Sequence, residues 1–130
     1  MKLLLDTHFA AWLFLDEDRI TSAERVLVTR EDVELVCSTV TLWELRLKWN
    51  STTSAGVRKG PASPDGVMAF GQGMGWTFLP LSPEHAVAVL DVPIPHKDPF
   101  DELLLVQAQV EGMRLLTRDE ALIRHPLALR

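Results

Sequence analysis

The chain has one cysteine in 130 residues, which excludes a disulfide within it. Cys37 lies in the apolar run Leu35-Val36-Cys37-Ser38 and reads as a buried spectator thiol. Long hydrophobic runs are also missing. Three leucines precede Asp6 near the start, and the longest later apolar run, Phe9 to Leu15, is cut off by Asp16. Neither a signal peptide nor a membrane span is therefore expected, and the expected setting is soluble, reducing and cytoplasmic. Positive charge is scarce: 13 Lys and Arg against 18 Asp and Glu leave a net charge of −5. That balance argues against holding nucleic acid by overall basicity, so a phosphate-bearing substrate would need a local patch or a bound cation. The four histidines, His8, His85, His96 and His125, show no zinc spacing. Repeats and low-complexity tracts are absent, and Ser38 has no histidine pattern that would make it a nucleophile.

What is present is apolar material, 47% of the chain, enough for one domain with its own core. Leu3-Leu4-Leu5 reads as a strand buried on both faces. Phe9, Ala10, Trp12 and Leu13 keep helical spacing up to the charge run Asp16-Glu17-Asp18. Thr21-Ser22-Ala23-Glu24 is a capping-box pattern for a second helix, with Val26 and Leu27 facing inward. The stretch from Asp16 to Glu34 holds seven acids against three arginines and reads as a solvated face. Val33 to Cys37 is a second strand, and Thr41-Leu42-Trp43-Glu44 a further capping box. Leu45, Leu47 and Trp49 follow on the helix it would start. From Asn50 to Pro64 the composition turns to Ser, Thr, Gly and Pro, a mobile loop or clamp. Arg46, Lys48, Arg58 and Lys59 make residues 45–64 the one basic window. Val67 to Met74 suggests a weak helix, Trp76 to Leu79 a third strand, and Ser82-Pro83-Glu84 a helix running through Leu90. The Trp residues Trp12, Trp43, Trp49 and Trp76 read as core or dimer-interface residues.

The chain is organised around the run from His96 to Ala108. Asp98 stands where an N-cap belongs, Pro99 falls at the first helical position, and Asp101 lies three residues after the cap. Apolar residues on all sides make this a buried helix, stopped at Gly112. Arg114-Leu115-Leu116-Thr117 is then a buried strand, with Asp119 just beyond it at the start of one or two helical turns. Leu127 to Leu129 reads as an edge strand. Strands alternating with helices predict a single three-layer α/β/α domain over residues 1–130 with a mainly parallel central sheet.

In such a sheet, ligands bind outside the carboxyl ends of the strands. Asp6, Glu44, Asp101 and Asp119 all fall at or near that edge. Acids in a first helical turn also serve as caps, but four of them gathered at one edge repel one another unless a cation sits among them. Hard oxygen donors select Mg2+ or Mn2+. Such a site suits hydrolysis of a phosphodiester. Two ions about 3.5–4 Å apart would flank the attacking and leaving oxygens, while with one ion a carboxylate such as Glu44 or Asp119 would orient the water; both arrangements fit these residues. Arg46 and Lys48 are candidate phosphate contacts, and Lys48 shares a helix face with Glu44. Thr117, with Thr7, is a candidate to hold the carboxylates or touch substrate.

Four blocks carry a resemblance. Leu5-Asp6-Thr7-His8, Ser38 to Leu45 with Trp43-Glu44, His96 to Ala108 with Asp98, Asp101 and Gln107, and Leu116-Thr117-Arg118-Asp119 resemble the signature blocks of PIN-domain ribonucleases. The likeness covers essentially the whole chain and is strongest to the VapC toxins of bacterial toxin–antitoxin pairs. It implies a Rossmann-like sheet, Mg2+- or Mn2+-dependent RNA cleavage, a homodimer and inhibition by a small cognate antitoxin. By position, Asp6 and Asp101 would be the main metal ligands, with Glu44 and Asp119 completing the acidic quartet. Glu102 departs from the pattern, standing where relatives often carry arginine. Two other readings compete: an aspartyl phosphatase with Asp6 as nucleophile, disfavoured because His8 stands where a second acid belongs, and a metal-binding regulatory module without turnover.

Overall fold

The computed structural model describes residues 1–58, 60–95 and 98–129. His96 and Lys97, at the head of the central run, and Lys59, in the basic window, lie outside the described residues. Five strands, β1 (Lys2–Leu5), β2 (Glu34–Ser38), β3 (Thr77–Leu79), β4 (Arg114–Leu116) and β5 (Ala128–Leu129), form one sheet in the order β3-β2-β1-β4-β5. Every neighbouring pair is parallel. Side chains alternate across β1, β2 and β4. Leu5, Cys37 and Leu116 join one apolar cluster, and Leu4, Val36 and Leu115 the other. Apolar residues at successive positions are what a sheet covered on both faces requires.

One face is covered by α1 (Thr7–Leu15), α2 (Ser22–Val28) and α4 (Pro64–Met74), which supply Phe9, Ala10, Leu27, Val67 and Phe70 to the first cluster. The other is covered mainly by α6 (Pro99–Glu111), through Leu104, Leu105 and Ala108. The helix α3 (Thr39–Trp49) contributes to both, with Leu45 on one side and Val40 on the other. A short helix, α5 (Pro83–Val87), packs beside α6. The Cys37 thiol is fully buried, and burial pushes its pKa up to about 12, so it carries no nucleophilic chemistry at neutral pH.

Several local expectations are corrected. Helix α3 is capped by Ser38, whose hydroxyl accepts the Val40 N–H at 3.0 Å. Glu44 therefore lies in mid-helix instead of closing a Thr41 capping box. Ser38 offers its acceptor three residues earlier, and the chain leaves β2 directly into the helix. Val26 and Leu47 face solvent. The acidic stretch is not wholly solvated, because Glu24 closes the α2 capping box and is buried beside Arg118. Helix α5 ends at Val87, leaving Val89 exposed. After β4 the chain makes turns instead of a helix, with the Asp119 carbonyl accepting from Leu122 and Ile123. Helix α6 is buried along Leu104–Ala108 and not on all sides, since Glu102 and Val110 are exposed.

Candidate functional site

The chain builds outward from β1 to β2 and β3, then returns to place β4 on the other side of β1. Strand order reverses between β1 and β4, and a parallel sheet opens its ligand crevice at such a point. Asp6 follows β1 there, and its N–H donates to the Leu116 carbonyl at 3.1 Å, stitching the two strands together at their carboxyl ends. Asp6 also caps α1: its Oδ1 accepts the Phe9 N–H at 2.8 Å. Its Oδ2 accepts the Thr117 hydroxyl at 2.7 Å. Both oxygens are thus gripped by neutral donors while the residue is only 6% exposed.

Burial is the first reason the Asp6 carboxyl is pushed above the ordinary carboxylate range. The negative charge of Asp101 adds to that rise, while the Phe9 and Thr117 hydrogen bonds and His8 oppose it. The two acids therefore feel one another across the crevice, although 95 residues separate them in sequence. Asp101 stands in the first turn of α6. The turn is fixed by Asp98, whose Oδ1 accepts the Phe100 and Asp101 N–H groups at 2.9 and 3.3 Å. Asp98 thus acts as the cap, and Pro99 occupies the first helical position.

Glu44 reaches the same edge from α3. Its Oε1 accepts the hydroxyl of Thr7, the residue after Asp6, at 2.6 Å, and its Oε2 meets Lys48 Nζ at 2.6 Å. Glu44 is 6% exposed, so this ion pair is partly desolvated and offsets its charge. Asp119 is exposed; its Oδ1 accepts the Ala121 N–H at 2.9 Å, and its own N–H donates to Thr117 Oγ1 at 3.0 Å. Asp6 and Asp119 line one cavity of about 300 Å3 together with His8, Trp12, Arg19 and Arg118.

The predicted substrate contacts fare differently. Thr117 is fully buried, with its hydroxyl bound to Asp6 on one side and to Asp119 on the other. Of its two readings the structure fits the holding one and not the substrate contact: its hydroxyl supports the Asp6 carboxylate and the Asp119 backbone N–H from behind. Lys48 is engaged with Glu44, and the Arg46 guanidinium lies 4.9 Å from the centre of the exposed Trp43 ring. Neither lines the cavity that contains Asp6. Arg19 and Arg118 do, and sequence reasoning missed both. Arg19 is hidden in the acidic stretch, and Arg118 passes as the neighbour of Asp119.

A buried polar chain ties the acid-bearing helices together. The Ser38 hydroxyl donates to Gln107 Oε1 at 2.5 Å, and Gln107 Nε2 donates to His85 Nδ1 at 3.3 Å. His85 Nδ1 also accepts the Ser82 N–H at 2.9 Å, so the ring proton sits on Nε2 and points to Glu111 Oε2 at 2.8 Å. Ser38 starts α3 and Gln107 lies in α6, so this chain fixes the helix of Glu44 against that of Asp101.

The carboxylates at the crevice offer hard oxygens, which suits Mg2+ or Mn2+. A buried carboxyl that resists ionisation beside a second acid gains most from a neighbouring cation. Among the described residues, no three of His, Cys, Asp and Glu are spaced to hold an ion unaided. The set therefore fits an ion held by two carboxylates with several waters, the usual habit of Mg2+, and does not fit a dedicated protein cage.

A family model described as PIN domain matches residues 3–126. Among solved structures, the fold matches the crystal structure of VapBC2 from Rickettsia felis bound to a DNA fragment from their promoter. That match has a TM-score of 0.62 and 11% sequence identity, and it covers 99% of this chain and 96% of that one. At that identity it is a likeness of fold. No curated protein matches the sequence.

Proposed function

Because the chain belongs to the PIN-domain family, we propose that it is a Mg2+- or Mn2+-dependent endoribonuclease acting as the toxin of a VapBC-type pair. The observation that carries this reading is the buried Asp6 carboxyl at the strand-order reversal, raised in pKa and opposed by Asp101. Asp6 and Asp101 would hold the ion, and Glu44 and Asp119 would complete the acidic edge. The ion would supply an acidified water and offset charge on the phosphodiester. Asp6 is prevented from turning by Phe9 and Thr117, so one geometry is presented to the reacting phosphate. Asp119, exposed and anchored through its own N–H, would orient the water or accept its proton. Lys48 and Arg46, on the outer turns of α3, would meet the flanking RNA backbone, with Lys48 exchanging Glu44 for phosphate.

A small antitoxin partner and a homodimer complete the proposal. It is supported by the sequence blocks and by the fold likeness to a VapBC complex. No described helix is long and apolar enough to cross a membrane, and a cytoplasmic site of action is part of the same proposal. The test is incubation of single-stranded RNA with antitoxin-free protein and Mn2+, with and without chelator. Cleavage that disappears with chelator and in Asp6→Asn supports the reading. Hydrolysis of a phosphomonoester instead would favour the aspartyl phosphatase, and binding without turnover of either substrate would favour a regulatory module.

A further inference from the structure

The cavity that opens beside Asp6 is lined by two acids, Asp6 and Asp119, and by two arginines, Arg19 and Arg118. Arg118 Nε stands 2.9 Å from Glu24 Oε2, close enough for an ion pair, although Nε makes no hydrogen bond. Its Nη2 donates to the Arg19 carbonyl, and its guanidinium lies 4.4 Å from the centre of the Trp12 ring. Arg118 is thereby fixed by α2, α1 and the Arg19 turn at once. Arg19 pairs with Asp16 at 2.9 Å, both side chains being about half exposed or more, so the pair is weak and Arg19 is easily redirected. His8 and Trp12 wall the cavity, their ring centres 5.8 Å apart.

We propose that this cavity is a subsite for the RNA phosphate next to the one being cleaved, with Arg19 and Arg118 as its counter-charges. The inference rests on the ribonuclease reading above and names how that site would position its substrate. Two guanidinium groups favour an anion beside them over a second cation. A free anion would also meet the repulsion of Asp6 and Asp119, whereas a phosphate tethered to the bond held at Asp6 is delivered at high effective concentration. In a chain of net charge −5, such a local pair is what lets an acidic edge accept a polyanion.

The experiment uses a single-stranded RNA whose cleavage position has been mapped with the wild-type protein and Mn2+. Oligonucleotides then carry one neutral methylphosphonate at each phosphate flanking the cleaved bond. One flanking position is expected to raise the wild-type KM about tenfold, the size of one charge-assisted contact. Arg19→Gln should raise KM by a similar factor with native RNA, leave the melting temperature unchanged, and respond no further to that methylphosphonate. Arg118→Lys, which keeps the charge beside Glu24, should raise KM as well. Arg30→Gln, before β2 at the opposite end of the sheet, should change nothing. Native RNA cleaved with an unchanged KM by Arg19→Gln, or losses from the two changes that simply multiply, would overturn the subsite and leave the ribonuclease reading standing. If the wild-type protein cleaves no RNA with either metal, the ribonuclease reading fails and the subsite goes with it.

Discussion

Replacing Gln107 with leucine tests the buried polar chain that holds α3 against α6. The substitution nearly conserves volume, so what it removes is polar. Ser38 loses the acceptor of its 2.5 Å hydrogen bond, and His85 loses one of two donors at Nδ1, keeping the Ser82 N–H. Leaving the Ser38 hydroxyl without an acceptor costs about 1 kcal/mol, and losing the contacts of the amide roughly another, for a total near 2 kcal/mol. In a domain of this size that lowers Tm by roughly 6–10 °C. Ser38→Ala should cost about the same, half of it the lost cap of α3 and half the orphaned Gln107 carbonyl. The double variant removes both ends of the bond, and neither partner is then stranded. It should cost only about 2 kcal/mol, roughly 2 kcal/mol less than the two single losses added together. Urea unfolding of the four proteins measures this directly, with equal m-values as the check that the unfolded state is unchanged. Strictly additive losses would show that the two side chains do not depend on each other and would refute the network.

Two further predictions concern stability. The folded chain holds the Asp6 proton more tightly than the unfolded one, since burial raises this carboxyl above its ordinary 3.8. Its contribution is therefore fully present below about pH 3.8 and is lost as pH rises through the elevated folded value. In chelator, Asp6→Asn should flatten that part of the stability–pH profile and raise the neutral-pH Tm while keeping the Phe9 cap. Asp6→Ala, which loses the cap, should fall below Asp6→Asn by about 1 kcal/mol. Glycines in α4 give a second contrast: a Cβ at Gly71 would come within 2.5 Å of the Trp76 ring, whereas one at Gly73 meets nothing within 4 Å. Gly71→Ala should destabilise by about 1–3 kcal/mol through overpacking. Gly73→Ala should stabilise by about 0.5–1 kcal/mol through helix propensity, both read by thermal melts.

Much of the fold was legible because its signals are local. Leu3-Leu4-Leu5 marks a strand covered on both faces, Asp98-Pro99 marks the start of α6, and Gly112, with φ 68°, marks its end. The α3 start was misread because Ser38 and Thr41 are both good caps by type, and only the position where β2 ends decides between them. Placement of Asp6, Glu44, Asp101 and Asp119 near one edge followed from parallel topology. What each acid touches did not. Pairing of Lys48 with Glu44 had a sequence signal in its four-residue spacing. By contrast, Arg118 beside Glu24, Arg19 beside the Asp6 cavity, and Gln107 between Ser38 and His85 are long-range contacts with no periodic trace. Thr117 shows the same limit: its burial just past β4 followed from the strand reading, but the groups its hydroxyl engages, Asp6 Oδ2 and the Asp119 N–H, did not.

The most direct test of the account is calorimetric titration of Mn2+ into the metal-free wild-type protein and into Asp6→Asn and Asp101→Asn, with Tm recorded for each. The account predicts saturable binding to wild type and at least tenfold weaker binding to each variant, with both variants melting at or above the wild-type temperature. Equal Mn2+ affinity in all three proteins would contradict it, and so would a large loss of Tm in both variants, which would make Asp6 and Asp101 supports of the fold and not a site awaiting its cation.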